Sequence, residues 1–383
     1  MIDKHLMNKR EFIKSCCLLG GGLAFGLSNV ETLADQLGSY TITDELWKWS
    51  KETYHYSKTS NSVICGTCPN TCKLSEGEYG KCRSRINYKG KLYSIAYGNP
   101  CAVHVDPIEK KPLLHFLPGT KAYSIAESGC GLRCLNCQNW SISQYGPKET
   151  QNYDLMPGKV AAQALAYKCE SVAYTYSEPL TWFEYTYDTA KLMHDAGIKN
   201  VLKSSGYGNK TPVKKLAKYL DAANIDLKSF SDDIYKELNG GKLQPILTTL
   251  QTLKDEGVWL EITNLVIPTW TDDLDMIKRM SEWLVNNKMD DCPLHFSRFH
   301  PMYKLTQLPL TPVDTLEKAH DIARDAGIKY VYIGNVPGHK ANNTFCHNCG
   351  KMIVQRRGYS ILRNDIVEGK CGHCGTVIPG VWK

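Results

Sequence analysis

The chain has 383 residues, of which 42% are hydrophobic, and it carries a formal net charge of +7 at pH 7. A chain of this length and composition can bury a full hydrophobic core, which excludes an intrinsically disordered protein. The Lys and Arg residues are spread along the sequence without a dense basic run, so the charge does not indicate a nucleic-acid partner.

The chain contains 16 cysteines, and 11 of them fall into three compact groups with the spacing of metal ligands. Thiolates that bind metals must stay reduced, so the cysteines indicate a reducing compartment rather than a disulfide framework. We therefore expect a cytoplasmic protein.

Residues 1–39 are predicted to form a leader. A basic start, MNKREFIKS, precedes an apolar stretch over 16–27, as in the core of a signal peptide. This stretch is too short for an ordinary membrane span. The segment KREFIK resembles the twin-arginine export motif with Lys in place of the first Arg. Export, or membrane tethering through this leader alone, is therefore the alternative to a cytoplasmic location.

Residues 60–118 are predicted to form a cysteine-rich unit, with short strands over 91–97 and 102–106. Its cysteines have the spacing C-x2-C-x3-C-x9-C and are Cys65, Cys68, Cys72 and Cys82. Four thiolates at this spacing suit zinc and also suit an additional four-iron cluster, so both remain open. Cys101 and His104 are near enough in sequence to be substitute ligands.

Between 119 and 338, short β-rich runs alternate with amphipathic helical runs. Strands are predicted over 122–127, 171–176, 200–204, 224–227, 259–267, 295–299 and 330–333. Helices are predicted over 159–167, 181–195, 212–222, 244–256, 273–286 and 315–325. This alternation predicts an α/β fold with a parallel sheet, in the form of a partial (β/α)6 barrel similar to a TIM barrel. Reactive groups in such barrels lie at the carboxyl ends of the strands.

Three cysteines, Cys130, Cys134 and Cys137, stand in the segment CGLRCLNC just after the first predicted strand of this core. A four-iron cluster needs four thiolates, so three would leave one iron open. An open iron can chelate the amino and carboxylate groups of S-adenosylmethionine (SAM). One electron then yields methionine and a 5′-deoxyadenosyl radical that abstracts hydrogen. A zinc site, or three unrelated buried thiols, is the alternative that spacing alone leaves open.

The tail, 340–383, contains two CxxC pairs, CHNC and CGHC. Each pair can present two thiolates to one tetrahedral ion, which predicts a zinc ribbon, with rubredoxin-like iron or an iron–sulfur cluster as alternatives. The predicted ligands are Cys346, Cys349, Cys371 and Cys374.

Several separated segments accompany the triplet in a fixed order. They are DPIEKKPLLHF, CQNWSIS, AYTYSEPLTWFEY, NIDLKSF, LEITNLVIPTWTDD, FSRFHPMYKLT and VYIGNVPG. With the triplet, they resemble the radical SAM superfamily. More narrowly, the chain resembles the AmmeMemoRadiSam-system radical SAM enzymes, which are similar to pyruvate formate-lyase activating enzymes. The resemblance runs from about Cys65 to Trp382 and includes both outer cysteine groups.

The resemblance implies that the triplet ligates the cluster and that further polar residues contact SAM. Glu178 would accept a hydrogen bond from the SAM amino group, although an acidic residue just before Pro179 also suits the first turn of a helix. The other implied contacts are Ser204 and Ser205 for the ribose and carboxylate, the pair Asp226 and Lys228, and His300. The ordinary alternative for Asp226 and Lys228 is a surface ion pair, and for His300 it is a structural histidine.

Two positions depart from the pattern of the superfamily. The residue before the third cysteine is usually aromatic but is Asn136 here. Adenine must then find another stacking partner, for which Trp140 and Tyr176 are candidates. Ser205 stands where the family commonly has Asn, which leaves the ribose contacts open.

We therefore expect a radical SAM enzyme with a 4Fe-4S cluster, SAM and zinc as cofactors, and a second iron–sulfur cluster as an option. Its partners would be a low-potential electron donor of the flavodoxin or ferredoxin type and a protein, peptide or small-molecule substrate. Activation of a glycyl-radical enzyme is one alternative function. A non-catalytic electron-transfer or metal-binding protein is another, which an open iron disfavours. The sparse basic residues disfavour an RNA-modifying enzyme.

Overall fold

The central sheet of the protein contains eight strands, and seven of them run parallel. The computed structural model describes residues 48–382. An antiparallel strand, Ala102–Pro107, forms one edge of the sheet. The parallel strands follow in chain order: Lys121–Ala126, Ser171–Tyr174, Lys199–Ser204, Ala222–Asp226, Trp259–Val266, Leu294–Arg298 and Val331–Gly334.

Six helices connect consecutive parallel strands: Pro157–Ala166, Phe183–Asp195, Lys210–Ala217, Leu243–Asp255, Leu274–Asn286 and Val313–Asp325. In the fifth helix, Met276, Met280 and Leu284 recur every four residues and are buried, so they form the apolar face of this helix. The Asp273 side chain caps this helix by accepting hydrogen bonds from two backbone N–H groups in the first turn. Shorter helical turns lie at Ile108–Lys110, Trp140–Ser143, Pro147–Glu149, Asp232–Ile234, Tyr235–Asn239 and Lys340–Asn342. The predicted parallel α/β architecture is confirmed.

The carboxyl ends of neighbouring parallel strands meet at one edge of the sheet. Backbone pairing aligns Leu202 with Tyr174, and Ser204 with Ile225. Side chains that follow these strands therefore lie close together in space, although they are far apart along the chain.

The residues before the central sheet form two small antiparallel sheets. The first has the order Lys51–Glu52, Lys91–Ser94, Arg85–Tyr88, and the second has the order Tyr56–Lys58, Val63–Cys65, Lys73–Leu74. The strand predicted over 102–106 is Ala102–Pro107, and it pairs within the central sheet rather than within these small sheets. The division of the chain into domains stays a prediction.

The C-terminal segment folds as a three-stranded antiparallel sheet and a two-stranded one. Its strands are Thr344–Phe345, Met352–Arg357, Ser360–Asn364, Ile366–Val367 and Lys370–Cys371. Buried Ile353, Val354 and Ile378 pack in one apolar cluster with Leu114 and Tyr332. Burial of apolar surface therefore attaches this segment to the central sheet.

A buried carboxylate strengthens the same attachment. Glu261 is fully buried and accepts hydrogen bonds from the backbone N–H groups of His115 at 2.8 Å and Leu114 at 3.0 Å. Burial alone would raise the pKa of Glu261, but the hydrogen bond with His295 at 2.7 Å, the charges of His295 and His115 and the Leu114 N–H together outweigh burial and lower the pKa. The His115 carbonyl accepts the N–H of Val381 at 2.7 Å. Glu261 thus connects the sheet, through His115, with the end of the chain.

No helix among residues 48–382 is both long and apolar enough to cross a bilayer. The predicted leader, 1–39, with its twin-arginine-like motif, lies outside the described residues.

Replacing Glu261 with Ala should lower the free energy of unfolding by about 3 kcal/mol, because several buried donors would lose their acceptor at once. Urea unfolding followed by circular dichroism measures this change. Glu282→Ala is the matched control, since Glu282 is exposed on a helix, and it should change the stability by less than about 0.5 kcal/mol. Equal losses in the two variants would contradict the connecting role of Glu261.

Candidate functional site

The three cysteines of the triplet lie on one loop at the carboxyl edge of the sheet. Gly129 precedes them with φ +99, and a Cβ atom there would approach the carbonyl oxygen of Cys82 to 2.3 Å, so only glycine fits. On the other side, the backbone N–H of Arg133 donates to the carbonyl of Asn239 at 2.7 Å. Two distant parts of the chain therefore hold this loop in place.

Each sulfur of the triplet has a hydrogen-bond donor nearby. The Leu132 backbone N–H donates to Cys130 Sγ at 3.4 Å, and the Asn239 amide donates to Cys134 Sγ at 3.2 Å. The Ser143 hydroxyl lies 3.0 Å from Cys137 Sγ, and either atom can be the donor while the thiol is free. Such donors stabilise thiolates and tune a bound metal group. Burial raises the pKa of Cys130 and of Cys134, so the free thiols keep their protons until a metal replaces them.

Glu178, Ser204 and Ser205 form one hydrogen-bonded group at the ends of two neighbouring strands. The Ser204 hydroxyl donates to Glu178 Oε1 at 2.6 Å. Ser205 donates to Oε2 through its backbone N–H at 2.9 Å and through its hydroxyl. The backbone N–H of Leu180 also donates to Oε1, at 3.1 Å, which fits a local role for Glu178 at this turn as well. Three of the residues predicted to surround SAM thus lie together.

Asp226 and Lys228 form a second charged group beside the triplet. Lys228 Nζ lies 2.9 Å from Asp226 Oδ2, and Lys203 Nζ pairs with the other carboxylate oxygen. Burial alone would raise the pKa of Asp226, but the two ammonium groups outweigh it and lower the pKa to about 2. At Cys134, the positive charge of Lys228 opposes the effect of burial on the thiol pKa. The site therefore combines two ammonium groups with two carboxylates, because Glu178 also acts by its charge on Lys203 and on Cys130.

The remaining residues considered for SAM are His300, Trp140 and Tyr176. His300 is exposed. Trp140 stacks on Tyr303 with ring centres 5.4 Å apart, so one of its faces is occupied. The ammonium group of Lys111 lies 4.9 Å from the ring centre of Tyr176. Each aromatic ring therefore has at most one face left for adenine.

Asn136 occupies the position directly before the third cysteine. Its Oδ1 atom is buried and has no hydrogen-bond partner among the residues that the structure describes. A buried oxygen without a donor is unfavourable, so such an atom marks a place where a ligand can supply a polar hydrogen. Asn136 is thus a candidate contact for a bound molecule next to the triplet.

The four cysteines of the N-terminal segment surround one partly enclosed cavity: Cys65, Cys68, Cys72 and Cys82. Three are buried and Cys72 is half-buried. The Arg85 guanidinium lines the same cavity and pairs with Glu184 at 2.7 Å, where both side chains are buried. The cavity is therefore lined by the four cysteines and by an arginine whose charge is paired with a buried glutamate.

The four cysteines of the C-terminal segment form a tighter group. In the part of the chain from 48 to 382, they are the one set of three or more ligand atoms that all lie within 4.8 Å of one another: Cys346, Cys349, Cys371 and Cys374. Cys346 Sγ lies 3.7 Å from Cys374 Sγ, and Cys349 Sγ lies 3.8 Å from Cys371 Sγ. This group could bind one metal ion.

Three polar residues of the site were not predicted from the sequence: Lys203, Asn239 and Ser143. Lys203 does carry a signal, because a lysine within the buried run NVLKSS is unusual. Asn239 carries none, since it lies 105 residues from Cys134 along the chain and only the fold brings the two together.

Several known proteins are similar in sequence to large parts of this chain. Residues 127–280 match the family model of the Radical SAM superfamily. An uncharacterized protein of Methanocaldococcus jannaschii is 43% identical over 331 residues, which are 86% of this chain and 98% of that protein. The pyruvate formate-lyase-activating enzyme of Clostridium pasteurianum is 27% identical over 201 residues, 50% of this chain and 82% of that enzyme. A solved structure, a radical SAM methyltransferase from Sphaerobacter thermophilus, matches with a TM-score of 0.45 and 15% identity, over 62% of this chain and 71% of that one.

Proposed function

Because the chain belongs to the radical SAM superfamily, we propose that Cys130, Cys134 and Cys137 hold a four-iron cluster with one iron open to SAM. When bound, SAM and the cluster supply a 5′-deoxyadenosyl radical that removes a hydrogen atom from the substrate. The chain itself binds and orients these cofactors and keeps water away from them. The observation that carries the proposal is the loop of three cysteines at the carboxyl edge of the sheet, with a donor at each sulfur.

The chemistry of the residues around the triplet fits this pair of cofactors. Three thiolates from one loop are one fewer than a four-iron cluster needs, as an open iron requires. The unpaired Oδ1 atom of Asn136, next to Cys137, is an acceptor for a polar hydrogen. The exocyclic amino group of adenine is such a donor. In this proposal a hydrogen bond from adenine takes the place of the aromatic stacking expected at this position.

We propose that Glu178 accepts a hydrogen bond from the α-amino group of SAM. Ser204 and Ser205 hold its carboxylate in one orientation, so an acceptor is in place for the polar N–H groups that an iron-bound amine still carries. Lys228 acts on Cys134 by its charge and would offset the negative charge of the thiolates. The remaining proposed contacts to SAM are Asp226 and His300.

We also propose that the central sheet curves into a partial (β/α)6 barrel. Its parallel strands follow in chain order, so right-handed crossovers put the six helices on the same face. The other face carries polar side chains: Asn224 Oδ1 accepts from Lys203 Nζ at 2.6 Å and from the Thr263 hydroxyl at 2.8 Å. Polar groups on this face suit the interior of a barrel that receives a charged cofactor.

For partners, we propose a low-potential electron donor of the flavodoxin or ferredoxin type and a protein, peptide or small-molecule substrate. The similarity to the activating enzyme of Clostridium pasteurianum supports activation of a glycyl-radical enzyme as a second candidate. That match covers 50% of this chain, and the additional cysteine-rich segments favour a different substrate within the AmmeMemoRadiSam-system group.

We propose that the enzyme works in a reducing compartment such as the cytoplasm. The 14 cysteines of the described residues are all free thiols. Thiolates that bind metals are lost if they oxidise to disulfides, so the proposed cofactors need these cysteines in the reduced state.

For the C-terminal quartet, we propose structural zinc in a ribbon. Zinc bonds to sulfur at about 2.3 Å, and a tetrahedron of that size has edges of about 3.8 Å. The two sulfur separations across the CxxC pairs are 3.7 and 3.8 Å, which fits such an edge. The ion would join strands whose apolar side chains pack against Leu114 and Tyr332.

Replacing Cys371 with Ser should remove about one zinc ion per chain, because a tetrahedral site with a missing thiolate binds zinc weakly. Elemental analysis of the purified full-length chain measures the zinc content. Cys292→Ser is the control, since Cys292 is buried outside the three cysteine groups, and it should keep all of the zinc. Unchanged zinc in the Cys371 variant would contradict the proposed ribbon.

After anaerobic reconstitution with iron and sulfide, the reduced chain should release 5′-deoxyadenosine from SAM. Cys134→Ala should lower this rate by at least about a hundredfold, because the cluster loses one of three ligands. Liquid chromatography of the products measures the rate. Cys169→Ala is the control, since Cys169 is buried and lies outside the cysteine groups. Product at the normal rate from the Cys134 variant would contradict the assignment of the triplet.

A further inference from the structure

The N-terminal quartet differs in geometry from the C-terminal one. Four sulfur atoms bound to one zinc ion would all lie about 3.8 Å from one another. Among residues 48–382, only the C-terminal quartet brings three or more ligand atoms within 4.8 Å of one another. The sulfur atoms of Cys65, Cys68, Cys72 and Cys82 nevertheless line a single cavity. No three of these four sulfur atoms lie within 4.8 Å of one another, which is wider than the spacing around one zinc ion.

The four thiols are the metal-binding side chains that line this cavity. Of the two substitute ligands considered from the sequence, Cys101 directs its sulfur to the carbonyl of Ala126 at 3.4 Å, and His104 packs edge-on against Tyr176. Neither residue lines the cavity, whose other walls come from Asn70, Leu74, Gly80, Arg85 and Thr181. The backbone N–H of Lys81 donates to Cys72 Sγ at 3.5 Å, as donors to the sulfurs of iron–sulfur clusters do.

We propose that Cys65, Cys68, Cys72 and Cys82 bind a second four-iron cluster, with one thiolate on each iron. Four irons between the thiolates account for sulfur atoms that share a cavity but do not approach the spacing of a zinc site. Because every iron has a protein ligand, this cluster has no position for SAM. The site itself does not depend on the radical chemistry proposed above.

The proposed second cluster lies directly beside the triplet loop. An ideal Cβ atom on Gly131 would lie 3.7 Å from Cys68 Sγ, and the Asn70 amide donates to the Gly131 carbonyl at 2.7 Å. Cys82, through its carbonyl oxygen, touches the same loop at Gly129. A fully ligated iron–sulfur cluster carries electrons rather than substrate. The position of the second cluster suits electron transfer to the triplet. Only this electron-transfer role rests on the proposed function; the cluster site does not.

The test uses the full-length chain, reconstituted anaerobically, with all three triplet cysteines replaced: Cys130→Ala, Cys134→Ala and Cys137→Ala. This variant should retain about four irons and four sulfides per chain, with one zinc ion in the C-terminal quartet. After dithionite reduction, it should show an electron paramagnetic resonance signal that added SAM does not change. Two zinc ions without sulfide, or one zinc ion and no other metal, would overturn the proposal.

The unmodified chain and a second variant keep the test decisive if the triple variant folds poorly. The unmodified chain should hold about eight irons, and Cys68→Ser should hold about four while keeping a signal that responds to SAM. The control variant, Cys169→Ser, should lose no iron. An unmodified chain with about four irons and two zinc ions would overturn the second cluster. Failure of the triplet assignment looks different, because the triple variant would then match the unmodified chain in iron content.

Discussion

The parallel alignment of neighbouring strands at one edge of the central sheet is the constraint on which the site depends. The triplet loop follows the first parallel strand, Glu178 follows the second, Ser204 ends the third and Asp226 ends the fourth. Because the strands are parallel and paired, their carboxyl ends lie side by side, and short side chains there can reach one another. Once the edge exists, short bonds such as the one from Asn239 to Cys134 Sγ, at 3.2 Å, can orient the sulfurs.

Charge is the second constraint, because thiolates that leave water need compensation. Lys203 and Lys228 share the carboxylate of Asp226, and Glu178 is a second carboxylate that acts on Lys203 and on Cys130, so cations and carboxylates are equal in number near the triplet. At the N-terminal quartet, Arg85 is paired with Glu184, and Arg133 of the triplet loop also acts by its charge on Cys72 and Cys82. The two cysteine groups are thus neighbours with different charged residues around them, and Lys228 is the cation beside Cys134 that could attract an anionic group such as the SAM carboxylate.

The sequence predicted the parallel sheet and its helices because strand and helix periodicities are local patterns that persist over whole elements. It did not predict that Ala102–Pro107 joins the central sheet, since an edge strand's local pattern does not tell which sheet it will extend. The contacts of Asn239 with Cys134 and of Arg85 with Glu184 span 105 and 99 residues, and no spacing rule reaches so far. Cysteine spacing likewise fits zinc and iron–sulfur clusters equally at Cys65–Cys82, and the second cluster proposed there rests on a spatial spacing of the sulfur atoms that no sequence pattern gives.

The central claim, an iron atom of the triplet cluster that binds SAM directly, is tested by electron–nuclear double resonance on the reduced chain with SAM labelled by 15N at its amino group. To isolate the triplet, the measurement is made on the Cys68→Ser variant. A hyperfine coupling between the cluster spin and the label is expected, because the amino nitrogen would ligate the open iron. A cluster signal without any coupling to bound, labelled SAM would contradict the claim.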